Sequence, residues 1–377
     1  MISKLELKDF KIHENLELSL GGLTILTGQN GMGKSSVMQS LLLLRQSYTQ
    51  QESMKGVNLK GLLTDLGCAN DVECQSSKDG ELTINLTIKS SEEGIEEKLD
   101  FSFSYENADS YDTFLPIKTL MPDSGFIKKC SLFTNEFQYI SAFRFGPQKG
   151  YERDTDVVQT HQQISKVNGQ CEYVVHYLQY YGKKECLPEL LFDGSKDRDL
   201  KTQVQYWMQQ VSPRISISIE PNESDFKLKY KYSRDGKMMT DAMAALNVGY
   251  GVTYVLPIVV AILSATPGSL ILIENPEAHI HPRAQAELMK LVMKAVKAGI
   301  QIIIETHSDH IMNGALVFIV ENPESLDLVK AYYFERNEES HTSRPCKLQI
   351  LNDGRILNPP AGFFDQIDID MRHLMGF

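Results

Sequence analysis

The sequence lacks paired cysteines at zinc or redox spacing: Cys68, Cys74, Cys130, Cys171, Cys186 and Cys346 stand apart and form no CxxC. A zinc ribbon or disulfide-framed scaffold is therefore excluded, and reduced structural thiols are expected. Apolar runs of bilayer length are missing too. The longest, VTYVLPIVVAIL at 252–263, falls short of the roughly 20 residues a spanning helix needs and reads as buried core. The opening MISKLELKDFKIHENLEL alternates apolar and charged residues, so neither a signal peptide nor a transit peptide is expected, and the protein is placed in the cytoplasm without membrane contact. No internal repeat or low-complexity segment is present. Nor is there an excess of positive charge. A formal net charge of −11 disfavours capture of nucleic acid by the whole surface and leaves only a local basic groove for that role.

What is present suits a globular protein: 377 residues, 42% hydrophobic and 23% charged, suffice for one large core or two modest ones. Alternating segments at 4–10 and 16–20 predict a hairpin, followed by a buried strand, LTILT, at 23–27. Next comes GQNGMGKSS and then an apolar helical run at 37–48. This strand, glycine-rich loop and helix match GxxxxGKS from Gly28 to Ser35, the phosphate-binding loop. Its glycines let the backbone turn, so that N–H groups from Asn30 to Ser36, with Gly31 and Gly33 among them, aim at phosphate oxygens beside the positive end of the helix. Lys34 would neutralise the β and γ phosphates, and Ser35 would hold Mg²⁺.

Further strands are expected at 81–89, 98–105 and 137–143, helices within 172–181 and 199–211, and two amphipathic strands at 214–220 and 225–232. From 241 apolar helices alternate with the strands SLILIE (269–274) and IQIIIETH (300–307), the pattern of parallel strands in an α/β core. The predicted fold is an α/β P-loop nucleoside triphosphatase with a split core, inserted antiparallel strands and a helical lobe. Its segments are an N-terminal lobe at 1–149, an insertion at 150–240, a C-terminal lobe at 241–320 and a strand and tail at 321–377.

The second half supplies what the loop lacks. LILIE ends in Glu274, placed to bind Mg²⁺ partly through water, and the next strand leads to His307, placed to reach a γ-phosphate. NVGYGVTYVLPIV opens with Gly249 and Gly251 before becoming a helix, a second anion-binding end. One protomer cannot use both glycine-rich ends on one phosphate chain. A head-to-tail dimer, or a higher even-numbered assembly, with ATP sandwiched between subunits is the economical arrangement.

With these motifs the chain resembles the ABC-type ATPases of the RecF, structural-maintenance-of-chromosomes and OLD group. More closely, it resembles stand-alone bacterial AAA-type ATPases with a C-terminal domain of unknown function, found beside phage-defence effectors. The likeness runs through KLELKDFKIHENLEL, GQNGMGKSS, YISAFRFGPQ, NVGYGVTYVLPIV, IENPEAHIHPRAQ, ETHSDHIMN and GRILNPPAGFFDQ. It implies an ABC-type head with Walker A at Gly28–Ser36, a signature loop at Asn247–Thr253, a D-loop at Ala278–Pro282, Glu274 as the Walker-B acid and His307 as the switch histidine. A partner effector such as a nuclease is implied as well. Gln148 is the candidate Q-loop glutamine, with Arg144 an alternative γ-phosphate or DNA contact.

The signature departs from LSGGQ, and the residue after the Walker-B acid, normally the catalytic glutamate, is Asn275. An amide can orient water but cannot take its proton, which predicts slow turnover. Glu277 either turns back as a surrogate base, or caps the helix near Pro282 or pairs with Arg283. AHIHP offers His279 and His281 but no third metal ligand, and THSDH cannot form a hydrolase triad from contiguous residues. Asp368 and Asp370 have too few residues behind them for a nuclease domain. Lys227, Lys229 and Lys231 alternate with apolar residues, extended by Arg234 and Lys237. They form either a face for DNA or RNA or the solvated charge of an edge strand. The alternatives to an effector regulator are a RecF-like DNA-binding ATPase and a nucleotide switch that does not hydrolyse.

Overall fold

The computed structural model of the chain describes residues 1–50, 54–76, 80–89, 96–106, 108–119, 124–234 and 238–375. The first elements are β1 (Ile2–Phe10) and β2 (His13–Ser19), an antiparallel hairpin whose leucines Leu5, Leu7, Leu16 and Leu18 turn to one buried face. β3 (Leu23–Gly28), apolar on both faces, feeds the glycine-rich loop and α1 (Lys34–Gln50). β4 (Glu81–Lys89) and β5 (Glu96–Ser104) complete a four-stranded antiparallel sheet in the order β2-β1-β4-β5.

β6 (Phe137–Ile140), α2 (Val174–Tyr181), α3 (Leu200–Val211), β7 (Ile215–Pro221) and β8 (Asp225–Arg234) follow. The second half of the core runs α4 (Tyr250–Ser264), β9 (Leu270–Glu274), α5 (Pro282–Lys297) and β10 (Gln301–Glu305), then α6 (Asp309–Glu321), β11 (Val329–Arg336) and β12 (Ser343–Lys347).

The two halves meet in one six-stranded sheet of order β12-β11-β3-β10-β9-β6, parallel throughout except at β12. Each central strand alternates between two cores, which is why its sequence is apolar without a break. Ile25, Ile271, Ile273, Ile302 and Ile304 pack with Val259 of α4, Leu288 of α5 and Ile311 of α6. Leu26, Leu272 and Ile303 pack on the other side with Leu41 and Leu44 of α1 and with Leu5 and Phe101 of the antiparallel sheet. Parallel pairing also brings the C-terminal ends of β3, β9 and β10 to one edge, where open α/β sheets bind ligands.

Three placements differ from the sequence reading. The segment expected as an insertion shares its core with the sheet, through Tyr177, Trp207 and Tyr230. The strand and tail segment set apart after 321 joins the central sheet, since β11 pairs directly with the loop strand β3. β8 is no edge strand, because β7 pairs with one side of it and residues 151–152, 238–239 and 243–244 pair with the other. Among the described residues no helix is long and apolar enough to cross a membrane.

A chain cut after residue 321 would leave one side of β3 without its partner and open both cores at Tyr333 and Phe334. We expect such a chain to lose its cooperative thermal transition in circular dichroism and to elute expanded. A compact truncated chain melting as sharply as the whole protein would contradict this placement.

Candidate functional site

β3 passes into its loop through Gly28, Gly31 and Gly33 at φ of 130°, 76° and 94°, angles that favour glycine. Gly33 is doubly constrained, because a Cβ there would come within 2.7 Å of the His13 ring. His13 Nε2 donates to the Gly33 carbonyl at 2.9 Å, so the proton sits on Nε2, while its buried Nδ1 has no protein partner. Burial pushes this imidazole down to about 4, which keeps it neutral beneath the loop. Lys34 is buried and folds back, its Nζ donating to the carbonyls of Gly28 (2.9 Å) and Gln29 (2.6 Å). Burial holds its amine below the ordinary value, with the Glu305 carboxylate opposing. A cavity of about 340 Å³ opens over this loop, lined by Asn30, Gly31, Gly33, Lys34, Ser35 and Ser36 together with Lys11, Ile12, Gln39 and Glu305.

The strand ends supply the acids. Register pairs Glu274 of β9 with Glu305 of β10, so two carboxylates stand side by side. Glu274 accepts hydrogen bonds from the Tyr139 hydroxyl (2.9 Å), the Ala142 amide (3.0 Å) and the Ser141 hydroxyl (3.4 Å). Glu305 is 6% exposed. It accepts from the Ser35 hydroxyl at 2.9 Å, and its second oxygen is buried without a protein partner. Burial first, and the charge of Glu274 second, push its carboxyl up to about 7 against the pull of Ser35 and Lys34. A second cavity of about 330 Å³ shares Ser35, Gln39 and Glu305 with the first and adds Tyr139, Phe143, Glu274 and Asn275. Sequence reasoning passed over Glu305 and Gln39. The signal for Glu305 was its place at the end of a strand predicted beside β9.

Other predicted residues fall around this centre. Asn275 has φ of 44°, a left-handed turn that asparagine tolerates better than most residues. Its amide donates to the Glu305 carbonyl at 2.8 Å, and its side-chain oxygen is buried without a protein partner. Glu277 turns back toward β10, accepting from the Thr306 hydroxyl and the His307 amide, both at 2.8 Å. The capping and Arg283 alternatives are therefore set aside: His281 caps α5, its Nδ1 accepting from the Arg283 amide at 3.2 Å. His307 is held below its ordinary value by desolvation and by the charge of Lys34, which puts its ring in the field of the loop lysine.

Arg144 is 1% exposed and cannot be a DNA or γ-phosphate contact in this arrangement. Its guanidinium donates to the main-chain oxygens of Ser141 (3.0 Å), Tyr254 (2.9 Å), Glu274 (2.9 Å) and Asn275 (2.8 Å). Gln148 lines neither cavity; its amide faces the Tyr151 hydroxyl at 3.4 Å. Gly249 and Gly251 also lie outside both cavities. Gly249 precedes α4 on the exposed surface, next to Tyr250 at 60% exposure. A Cβ on Gly251 would overlap the His279 carbonyl, and the His279 ring packs 4.6 Å from that of Tyr254. The start of α4 and the turn after β9 are thus one packed surface.

Among the described residues no group of three His, Cys, Asp or Glu side chains is placed to hold a metal alone. The oxygen donors Ser35, Glu305 and Glu274 are nevertheless of the hard type that Mg²⁺ takes in company with phosphate and water. The buried unpartnered oxygen of Glu305 fits such an ion. Lys227, Lys229 and Lys231 do share an outer face, opposite Glu220, Ser218 and Ser216, and Lys229 pairs with Glu220 at 2.5 Å. Lys237 and the side chains of Arg234 and Asp368 lie outside the described residues.

Residues 1–163 match the family described as AAA ATPase domain. Residues 209–313 match an AAA domain family whose description names the AbiEii toxin and a type IV TA system, and residues 326–374 match a protein family of unknown function, DUF3696. No curated protein matches the chain. Among solved structures, an Smc head bound to the C-terminal winged-helix domain of ScpA is 14% identical, with 92% of this chain and 98% of that one covered at a TM-score of 0.55. An Smc head with an extended coiled coil, bound to the C-terminal domain of ScpA derived from Pyrococcus furiosus, is 13% identical, with 99% and 98% covered at 0.52. Two stretches of the chain are thus similar to AAA-type ATPase domains, and its fold is like that of the Smc heads.

The buried His13 has a pH signature. Its folded value lies below the unfolded one, so its stabilising effect is complete above pH 6.5 and is lost as pH falls toward about 4. Over that window wild type should lose up to about 3 kcal/mol more stability than His13→Gln, at roughly 1.4 kcal/mol per unit. Urea unfolding at a series of pH values measures the difference, and parallel profiles would contradict it.

Proposed function

We propose that this protein is a cytoplasmic ATPase that binds ATP with Mg²⁺ at the loop, closes head to tail with a second copy, hydrolyses slowly and thereby regulates a partner effector, such as a nuclease, in bacterial anti-phage defence. The observation that carries this reading is a division of labour. Lys34, Ser35 and the carboxylates share adjoining cavities, whereas the Gly249–Gly251 helix end lies on the outer surface. An anion-binding helix end on the outside serves a phosphate chain held by another copy. The exposed Phe143 and Tyr250, at 74% and 60%, suit burial on closure. The AbiEii and type IV TA terms attached to the family matched at 209–313 support a defence setting.

ATP and Mg²⁺ would supply the scissile phosphoanhydride and the positive charge on its oxygens. The loop amides and Lys34 would hold the phosphates, with Lys34 leaving the carbonyls of Gly28 and Gln29 to do so. Asn275 can orient water through its free side-chain oxygen but cannot take a proton. Glu277, one turn away and fixed by Thr306 and the His307 amide, is the carboxylate that would accept one. Both its oxygens are engaged, which favours slow turnover and keeps the non-hydrolysing switch as the second reading. A RecF-like grip on DNA is less well supported, since Lys229 is already paired with Glu220, which also stands opposite Lys227.

Lys34→Ala should abolish nucleotide binding in calorimetric titration while leaving the fold intact, and unchanged affinity would sink the loop assignment. Wild type with a non-hydrolysable ATP analogue should double in mass by light scattering, and Lys34→Ala should not.

Hydrolysis separates the two carboxamide readings. If Glu277 is the base, Glu277→Gln should bind ATP yet release phosphate about a hundredfold more slowly. If the site has no base, that substitution should change little, and Asn275→Glu should raise turnover despite about 1 kcal/mol of left-handed strain.

A further inference from the structure

We propose that Glu305 is the carboxylate that holds the divalent cation together with Ser35, and that Glu274 positions the Tyr139–Ala142 turn. This rests on the reading of the loop as a Mg²⁺-nucleotide site and deepens it by reassigning the acid. Sheet order carries the argument first. β10 lies between β3 and β9, so Glu305 ends the strand next to the loop strand and Glu274 ends the strand beyond it. At about 4.8 Å between strands, Glu305 is nearer the loop by a whole strand spacing.

Hydrogen bonding carries it further. Both oxygens of Glu274 accept from protein donors, Oε1 from Tyr139 and Oε2 from Ala142 and Ser141. Glu305 spends one oxygen on Ser35, the loop hydroxyl placed for the ion, and keeps the other buried and unpartnered. A buried carboxylate oxygen without a donor is costly unless something positive meets it. Among the described residues Glu305 lines both cavities, as only Ser35 and Gln39 also do. An ion seated between Ser35 and Glu305 would replace their hydrogen bond with two direct oxygen contacts and offset the repulsion between the two paired glutamates.

Mn²⁺ serves as the probe, titrated by electron paramagnetic resonance against full-length protein saturated with a non-hydrolysable ATP analogue. Glu305→Gln keeps the shape and the Ser35 bond but removes the charge. It should still bind the analogue without metal and lose about tenfold or more in Mn²⁺ affinity. Glu305→Asp should recover part of that affinity, and serves if the glutamine variant does not fold. Glu274→Gln should lose less than Glu305→Gln. Unchanged Mn²⁺ affinity in Glu305→Gln, or a larger loss in Glu274→Gln, overturns the assignment. Wild type that binds no analogue at all overturns the nucleotide reading itself, a distinct result.

Discussion

The parallel register of β9 and β10 is the constraint on which the site depends. It fixes Glu274 opposite Glu305, two carboxylates that in a half-buried setting repel each other and cannot both ionise freely. The fold answers by giving them different partners. Glu274 is solvated by a tyrosine hydroxyl and a main-chain amide, whereas Glu305 is left with one serine hydroxyl and is pushed up to about 7. A pair of this kind is an expensive feature for an empty protein and a favourable one beside a cation. The register is in turn held by the apolar alternation of both strands between two cores, since a one-residue slip would reverse every side chain.

A second constraint links that centre to the outer surface. The Arg144 guanidinium is buried and held by main-chain oxygens from the turn after β6, the end of β9, the residue after it and α4. Carbonyl oxygens carry partial charge only, so desolvation depresses this guanidine below its ordinary value. The arrangement ties the strand end bearing Glu274 to the helix that opens beside Gly249 and Gly251. Tyr254 adds its ring to the same contact, with Arg144 5.3 Å from the ring centroid and His279 on the ring as well. A shift at either end must therefore be transmitted or must break buried hydrogen bonds.

Much of this was readable in the sequence, for a physical reason in each case. The glycine-rich loop is local chemistry between a buried strand and a helix, so its letters were enough. The two-sided apolar runs at 269–274 and 300–307 announced parallel strands, and the structure pairs them. Long-range pairing was not readable. Nothing in DLVKAYYFE says that it lies beside β3, and nothing in DFKLKYKY says that it is flanked on both sides. Arg144 failed for the same reason, because a lone arginine near a loop looks exposed until the carbonyls converging on it are known. Glu305 was hidden by its neighbour His307, whose motif drew the eye past the strand's last residue.

Asn275 then takes on a meaning that the missing base alone does not convey. The backbone there is left-handed, its carbonyl is held by Arg144 and its amide by the Glu305 carbonyl. Asparagine is among the few non-glycine residues that accept such a turn at low cost, whereas a glutamate would add strain and a further acid beside Glu274, Glu305 and Glu277. With an amide after Glu274 and an acid at the end of β10, the second acid stands one strand closer to the loop, and Glu277 turns back toward the same strand end. On this view the asparagine belongs to a redistribution of charge in the site.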